Sequence, residues 1–145
     1  MIYCNTIKSN ECIIVNMTLS EAELELVERA SGLVREREVS RGVVGEVGCA
    51  LRTKNGEIFT GASMDLACGL GFCAEHTAIA NMISHTEETQ IDTIVAVGRE
   101  GILPPCGRCR ELMQVIDKNN RKARVIVSET EVVLLEELLP RDWME

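Results

Sequence analysis

Apolar residues recur along the chain with two different periods, and the alternation of these periods predicts a fold that mixes helices and strands. After Ser20, the apolar positions recur at steps of three and four residues, which is the spacing of an amphipathic helix. These positions are Leu24, Val27, Ala30 and Val34. Ser20 and Glu23 have the spacing of a capping box, which places the start of this helix at Ser20. Two further helices are predicted, over residues 74–85 and from Pro105 to about residue 118.

Five short apolar runs predict β-strands. They cover residues 47–52, 57–62, 91–97, 123–127 and 131–134, and a final helical turn is expected at 135–139. Asn55-Gly56 joins the first two runs and favours a type I′ hairpin turn. The strand–helix–strand order from residue 91 to residue 127 implies a right-handed crossover and parallel pairing. We therefore predict an α/β fold of three layers (α/β/α), a five-stranded mixed sheet with helices on both faces.

Length and composition indicate one globular domain. The chain has 145 residues, of which 46% are hydrophobic, enough to bury a single core. We expect residues 18–145 to form this domain and residues 1–17 to be an N-terminal extension. Residues 13–15 of the extension are apolar and are compatible with a short strand, an oligomer contact or a poorly ordered tail.

Charge and cysteine content narrow the class of partner. The formal net charge is −8 and no Lys/Arg cluster stands out, whereas a polynucleotide partner normally requires a basic patch. We therefore expect a small-molecule ligand and no nucleic acid.

Neither a secretory signal nor a membrane span of about 20 apolar residues is visible, which predicts a cytoplasmic protein without a membrane partner. Four of the seven cysteines are expected to be free thiols in that reducing compartment: Cys4, Cys12, Cys49 and Cys68.

The other three cysteines lie in two motifs that together carry chemistry. Cys73-Ala74-Glu75 precedes the second predicted helix, and Cys106 and Cys109 lie on the first turn of the third. Thiols at helix N-termini are stabilised as thiolates, which are the form that binds metal. Zinc prefers such ligands, and a catalytic zinc has three protein ligands and an open position for water, whose pKa it lowers to about 7. Glu75 is then placed to act as general acid and base.

These motifs resemble the signature of the zinc deaminases, in which Cys can replace the first His. The chain is similar to the small cytidine deaminases over roughly residues 19–145, and some segments resemble blasticidin-S deaminase. The supporting segments are residues 56–61, 101–110 and 137–140. The resemblance implies a cytidine-deaminase-like fold, one Zn²⁺ per subunit, hydrolytic deamination of a cytosine nucleoside such as cytidine or deoxycytidine, and a homotetramer.

The chain departs from the family where substrate would be recognised. Gly45 stands where the family usually has a pocket Phe, and Ser63-Met64-Asp65 replaces the Asn-x-Glu that binds ribose hydroxyls. We expect substrate contacts from Ser63, Asp65, Ala74, Pro104 and Trp143, the last by analogy with aromatic residues near the C-terminus of blasticidin-S deaminase. The family often has Arg after the catalytic Glu. Here His76 has that place, and we expect His76 or Arg108 to offset the thiolate charge.

Other functions remain open at this stage. Blasticidin S, another modified aminopyrimidine or a different amidine ring is an alternative substrate. A non-catalytic zinc-binding module would result if His76 were a fourth ligand. A thiol redox protein would use Cys106 and Cys109 as a reversible disulfide, but it gives Glu75 no role.

Overall fold

The computed structural model describes residues 19–144, in which one mixed sheet lies between two layers of helices. The helices are α1 (Glu21–Ser31), α2 (Ala74–His85), α3 (Gly107–Ile116) and α4 (Leu135–Leu138). The strands are β1 (Arg37–Val39), β2 (Gly42–Thr53), β3 (Ile58–Leu66), β4 (Ile91–Gly98), β5 (Gly101–Leu103), β6 (Arg124–Ser128) and β7 (Glu131–Leu134). Short 3₁₀ segments occupy Ala67–Gly69 and Lys118–Lys122. The N-terminal extension, with residues 13–15, Cys4 and Cys12, lies outside the described residues.

The five longer strands pair in the order β3-β2-β4-β6-β7. The β4–β6 pair is parallel, with Ile94 opposite Val125, as the strand–helix–strand order predicts. The remaining named pairs are antiparallel. Helices lie on both faces of this sheet, so the three-layer prediction is confirmed.

The predicted strand number is wrong, because the sheet has seven strands and not five. The two additional strands, β1 and β5, each have three residues. β1 pairs with the beginning of β2, and β5 pairs with the end of β4. Three residues are too few to show a hydrophobic period, and the burial pattern of β1 is exposed throughout. Such strands are therefore invisible to pattern analysis.

The turn between β2 and β3 is not of type I′. That type requires positive φ at both central residues, whereas within residues 19–144 only Cys68 among the non-glycine residues has positive φ. Gly56 has φ +90° and donates its N–H to the carbonyl of Thr53 at 3.0 Å. The Thr53 N–H donates to the carbonyl of Glu57 at 2.9 Å. This pattern is a longer loop that ends in a left-handed glycine.

Helix α1 begins as predicted, and both halves of the capping box between Ser20 and Glu23 are present. Three positions of the predicted stripe, Val27, Ala30 and Val34, belong to or pack against the core on this side of the sheet. The fourth, Leu24, is 52% exposed. Glu23 is buried instead, and its carboxylate accepts a hydrogen bond from Arg124 of β6.

Two hydrophobic cores fill the spaces between the sheet and its helices. Alternate residues of β2 point to opposite cores, as expected for a strand covered on both faces. Ala50 faces α1, while Cys49 and Leu51 face α2 and α3. The core on the α2 side holds Ala78 and Met82 from α2 and Met113 from α3, together with neighbouring strand residues.

Asn120 fixes α3 against the start of β4. Its side chain is fully buried, and its Oδ1 accepts from the N–H of Ile91 at 2.7 Å. Its Nδ2 donates to the carbonyls of Met113 at 2.9 Å and Thr89 at 3.0 Å. The residue therefore joins the end of α3 to the beginning of β4.

Across residues 19–144, the helices are too short or too polar to cross a membrane.

Candidate active site

The three motif cysteines meet at the N-terminal ends of α2 and α3. Cys73 Sγ lies 3.7 Å from Cys106 Sγ, and Cys106 Sγ lies 3.5 Å from Cys109 Sγ. All three sulfurs are within 4.8 Å of one another. The structure therefore brings together residues from two separate motifs, as the sequence predicts.

Backbone geometry explains why the thiols converge. Cys73 is the N-cap of α2 and Cys106 is the N-cap of α3, both with extended backbone conformations. Phe72, just before Cys73, pairs with Met64 of β3 through two backbone hydrogen bonds of 2.8 and 3.0 Å. This short bridge ties the start of α2 to the sheet. The amide of Cys109 bonds to the carbonyl of Cys106 at 3.1 Å, which closes the first turn of α3.

The sulfur spacing fits a single tetrahedral metal ion. With Zn–S bonds of about 2.3 Å, tetrahedral geometry places two sulfurs about 3.8 Å apart. The measured contacts of 3.5 and 3.7 Å are close to this value. Among the described residues, the ligand atoms clustered at this spacing come from the three cysteines and not from His76. Three soft donors and one remaining position suit zinc, and the site fits one Zn²⁺ per subunit.

The pKa values of the thiols show how the site behaves without a cation. Burial raises the pKa of Cys109 far above its ordinary value, and the Glu75 carboxylate raises it further. Burial, together with its neighbours, also raises the pKa of Cys73. Burial opposes ionisation at Cys106 too, but the amides of Cys109 and Arg108 and the adjacent thiols outweigh it and lower that pKa. Metal binding must therefore release protons from this cluster.

Glu75 lies at the floor of a cavity next to the cysteines. It is the second residue of α2 and is only 5% exposed. Within residues 19–144, its carboxylate has no hydrogen-bond or ion-pair partner. Glu75 lines the cavity, so its unpartnered carboxylate is available to a molecule that enters there.

The cavity has a volume of about 520 Å³ and contains most of the predicted site residues. Its lining includes Ser63, Asp65, Ala74, Glu75, Pro104 and Arg108, along with Cys73 and Cys106. Residues that the sequence analysis did not assign to the site also line it: Glu46, Val47, Phe72 and Leu103. The glycines near residue 45 were the available signal for an irregular strand, but they do not show which neighbouring residues line the cavity.

A bulge in β2 forms one wall of this cavity. Val44 pairs with Met64 and Gly48 pairs with Ala62, so three residues of β2 lie opposite Ser63 alone. Gly45 has φ +77°, and a Cβ added there would lie 2.6 Å from the carbonyl oxygen of Arg35. A pocket aromatic residue at position 45 is therefore incompatible with this backbone.

Trp143 lies outside the cavity. Its side chain is 73% exposed, and its indole N–H donates to Glu111 on α3. The preceding residue, Asp142, accepts a hydrogen bond from Gln114 at 2.7 Å, which holds the chain end along α3. Trp143 is therefore not among the residues that line the cavity within this subunit, and its contact with substrate stays a prediction. The prediction rested on the similarity of Leu138-Leu139-Pro140 to a family segment, and that similarity does not show where the residues after Pro140 lie.

His76 and Arg108 occupy different positions around the site. Arg108 is exposed and lines the cavity. His76 lies on the first turn of α2, with its ring 6.4 Å from that of Phe72. Burial lowers the pKa of His76, and the Arg108 charge lowers it further. The Nε2 atom of His76 is buried and lacks a hydrogen-bond partner within residues 19–144.

Comparison with known proteins agrees with this geometry. The family model described as "Cytidine and deoxycytidylate deaminase zinc-binding region" matches residues 20–128. A cytidine deaminase of Halalkalibacterium halodurans is 31% identical over 98 residues, which cover 66% of this chain and 74% of that protein. A blasticidin-S deaminase of Bacillus cereus is 30% identical over 129 residues, which cover 77% of this chain and 90% of that protein.

Solved structures show the same fold. The cytidine deaminase of Burkholderia pseudomallei has a TM-score of 0.69 at 26% identity, covering 86% of this chain and 100% of that chain. The enzyme of Mycobacterium tuberculosis has a TM-score of 0.71 at 23% identity, covering 85% and 98%. With the family match and the cysteine cluster, these findings show that the chain belongs to the cytidine and deoxycytidylate deaminase family of zinc-dependent hydrolytic deaminases.

Proposed function

We propose that this protein hydrolyses the exocyclic amine of a free cytosine nucleoside, such as cytidine or deoxycytidine. In this reaction, one water is consumed, a C–O bond forms, the C–N bond breaks and ammonia leaves. The single observation that supports the proposal best is the position of Glu75, buried and without a partner, in the same cavity as the three clustered thiols.

In this proposal, Cys73, Cys106 and Cys109 hold the zinc ion. When bound, the ion supplies a Lewis acid that lowers the pKa of water to about 7. Glu75 accepts one proton of the attacking water and delivers it to the ring nitrogen. It then accepts the second proton from the newly bonded hydroxyl group and delivers it to the departing amine, which leaves as ammonia when the C–N bond breaks. One carboxylate can serve both transfers because it is deprotonated again at the end of each. This acid–base function is typically worth about 10²–10⁴-fold in rate.

Backbone groups at the start of α2 and in the loop before α3 orient the substrate ring. Ala74 is the first residue of α2, so its N–H has no intrahelical partner, and Ala74 lines the cavity. Pro104 also lines the cavity, and its carbonyl is suited to accept a hydrogen bond from the amine. We assign the backbone hydrogen bonds to the substrate ring and its amine to these two residues.

The β3 edge of the cavity is assigned to the sugar. Ser63 and Asp65 both line the cavity, in the place of the Asn-x-Glu that binds ribose hydroxyls in the family. The Ser63 hydroxyl already accepts a hydrogen bond from the N–H of Val47, so its proton and one lone pair remain for a ligand. Asp65 can accept from one or two sugar hydroxyls.

The thiolate charge needs a compensating group. Three thiolates and one Zn²⁺ leave about one negative charge by simple counting. We assign compensation to Arg108, which lines the cavity, or to His76, whose unpartnered ring nitrogen can offset the charge as a hydrogen-bond donor. Zinc affinity and turnover that are unchanged in a double variant, His76→Ala with Arg108→Ala, would disprove this assignment.

The assembly and its location also belong to the proposal. Family resemblance favours a homotetramer, and Ile83 on α2 and Leu70 beside the cavity are exposed apolar side chains that subunit contacts would cover. Light scattering after gel filtration should then give four times the 16.0 kDa mass of the chain. The five described cysteines are free thiols, which suits the cytoplasmic location expected from the sequence.

Ammonia release by the zinc-loaded protein tests the function. The panel is cytidine, deoxycytidine, blasticidin S, cytosine, adenosine and guanine, with Glu75→Gln as control and zinc measured in both proteins. We expect turnover of a cytosine nucleoside that falls by about 10²–10⁴-fold in the variant while zinc is retained. Turnover of blasticidin S alone would favour the alternative substrate. Bound zinc without turnover of any compound would favour a non-catalytic zinc module.

A further inference from the structure

We propose that Arg110 is a positioning residue for the substrate amine, because it holds the short segment that presents the Pro104 carbonyl to the cavity. Residues 104–106 form this segment, here called the proline loop. The role rests on the proposed function, in which the Pro104 carbonyl accepts a hydrogen bond from the amine. Arg110 acts from behind the cavity wall, through the loop, and does not touch the substrate.

The guanidinium of Arg110 joins the proline loop to the end of α4. Arg110 is half-buried on α3 and directly follows Cys109. Its Nε donates a hydrogen bond to the Pro105 carbonyl at 2.8 Å, and its Nη1 donates to the Leu138 carbonyl at 3.1 Å. Leu138 is the last residue of α4, so its carbonyl has no partner inside that helix. The C-terminal segment thus supports the loop through a single side chain.

The donors of Arg110 are used on carbonyl groups and not on an ion pair within residues 19–144. Arg52, by contrast, pairs with the carboxylate of Glu25. Pro105 is buried, and a buried carbonyl requires a donor. Hydrogen bonds from a charged donor are about twice as strong as those between neutral groups. The contact is therefore suited to holding the Pro105 carbonyl in one orientation.

Pro105 transmits this restraint to the carbonyl before it. The peptide bond is planar, and the proline ring holds φ at about −65°. The ψ angle of Pro105 is therefore the only soft dihedral between the Pro104 and Pro105 carbonyls. The chain before the loop is held as well, since Leu103 pairs with Ala96 of β4. Fixing the Pro105 carbonyl consequently restricts the direction of the Pro104 carbonyl, and Pro104 lines the cavity.

Two compounds that differ only in the amine test this role. Cytidine has an amine hydrogen to donate to the Pro104 carbonyl, whereas pyrimidin-2-one ribonucleoside has a hydrogen atom in place of the amine. We measure kcat/KM for cytidine and the inhibition constant of the analogue with the zinc-loaded full chain. Zinc content and the unfolding midpoint are measured for each variant.

Arg110→Ala removes both contacts of the guanidinium. We expect kcat/KM for cytidine to fall by roughly five- to tenfold, the worth of one hydrogen bond, while the inhibition constant of the analogue changes by less than about twofold. Arg110→Lys keeps the charge but cannot replace two donors in a fixed fork, so it should show a smaller loss of the same kind. This second variant preserves the comparison if Arg110→Ala does not fold.

Arg52→Lys is the matched control. The Arg52 guanidinium also joins two elements, because it donates to the Ala22 carbonyl at 3.2 Å and to the Glu25 carboxylate at 2.8 Å. These contacts link β2 to α1 and not to the proline loop. The control loses an arginine bridge of the same kind, and both constants should stay as in the parent protein.

The two constants separate a positioning role from a general structural one. Equal losses for cytidine and the analogue, or no loss for either, would overturn the role of Arg110 and leave the deaminase function intact. Loss of zinc from the variants would place the effect on Cys106 and would also overturn it.

The parent protein tests the proposed function separately. If it releases ammonia from no cytosine compound, that function fails, and calorimetric binding of cytidine and the analogue then tests Arg110. A larger loss of affinity for cytidine than for the analogue in Arg110→Lys would support the positioning role. Equal losses, or no binding by the parent protein, would overturn it.

Discussion

The backbone N–H of Val47 donates a hydrogen bond to the Ser63 hydroxyl oxygen, with an N–O distance of 3.0 Å. This bond crosses the stretch where β2 and β3 lose their regular register. A side chain thus replaces the strand–strand hydrogen bond that the bulge removes. Ser63 also lines the cavity, so it has a structural role in addition to its assigned contact with substrate.

Ser63→Ala should therefore lower stability as well as activity. The half-buried amide of Val47 would lose its acceptor, which costs about 1–3 kcal/mol in the free energy of unfolding. Urea denaturation measures this change, and kcat/KM is measured in parallel. Ser84→Ala is the control, because the Ser84 hydroxyl is exposed and bonds only to the Ala80 carbonyl within its own helix. Unchanged stability in Ser63→Ala would mean that water satisfies the amide.

Removing one metal ligand should abolish zinc binding and weaken the fold. Cys109→Ser replaces a fully buried thiol of the cluster. We expect loss of stoichiometric zinc and loss of the stabilisation that zinc gives, about 4 kcal/mol when free zinc is 1,000 times Kd. Metal analysis and thermal unfolding with and without chelator measure both effects. Cys68→Ser, an exposed thiol outside the cluster, should keep its zinc. Retention of zinc by Cys109→Ser would argue against the assigned ligand set.

Gly45→Ala should be strongly destabilising for its size. The residue has φ +77°, and the added methyl would lie 2.6 Å from the Arg35 carbonyl oxygen. Strained conformations of this kind cost about 1–3 kcal/mol, and the clash adds to that value. Gly32→Ala is the comparison, because Gly32 has φ −61° and ordinary contacts of 3.5 Å or more. Similar unfolding midpoints for the two variants would show that the bulge is not rigid.

The ion pair between Lys54 and Asp92 gives a pH-dependent contribution to stability. Burial tends to raise the pKa of Asp92, but the Lys54 ammonium at 2.8 Å and the Thr93 hydroxyl outweigh it and lower that pKa. The stabilisation is therefore present above the unfolded pKa of about 3.9 and is lost as pH falls through the folded value. Both side chains are more than a third exposed, so we expect less than about 1 kcal/mol.

Asp92→Asn tests this contribution. The variant should be slightly less stable than the parent at about pH 7, and the difference should shrink as pH falls below the unfolded pKa of about 3.9. Thermal unfolding at several pH values measures it. A difference that grows as pH falls would reverse the sign of the argument.

The sequence revealed the elements that depend on long patterns and on paired motifs. The capping box located the start of α1, continuous apolar runs located the longer strands, and the cysteine motifs located the metal cluster. Each of these signals is local and repeats over several residues. The three-residue strands β1 and β5 have no such repetition.

Features that depend on contacts between residues far apart in sequence could not be predicted. The sequence around Gly45 does not show that β2 bulges at this point, so that three of its residues lie opposite Ser63. The position of Trp143 depends on where Asp142 is held, which involves a hydrogen bond to a residue far away in sequence. The burial of Glu23 on α1 brings it to Arg124 of β6, a contact between residues far apart in sequence.

The hydrogen bonds of Asn120 restrict which residue this fold can accept at position 120. Its side chain uses one acceptor and both of its donor hydrogens, all on backbone groups of other segments. Aspartate has the same shape but lacks the two donors, and leucine lacks all three functions. Glutamine has the functions on a longer stem that does not fit a fully buried site. No other residue of the same size can make these three hydrogen bonds. We therefore expect substitutions to be tolerated at positions around residue 120 but not at residue 120 itself.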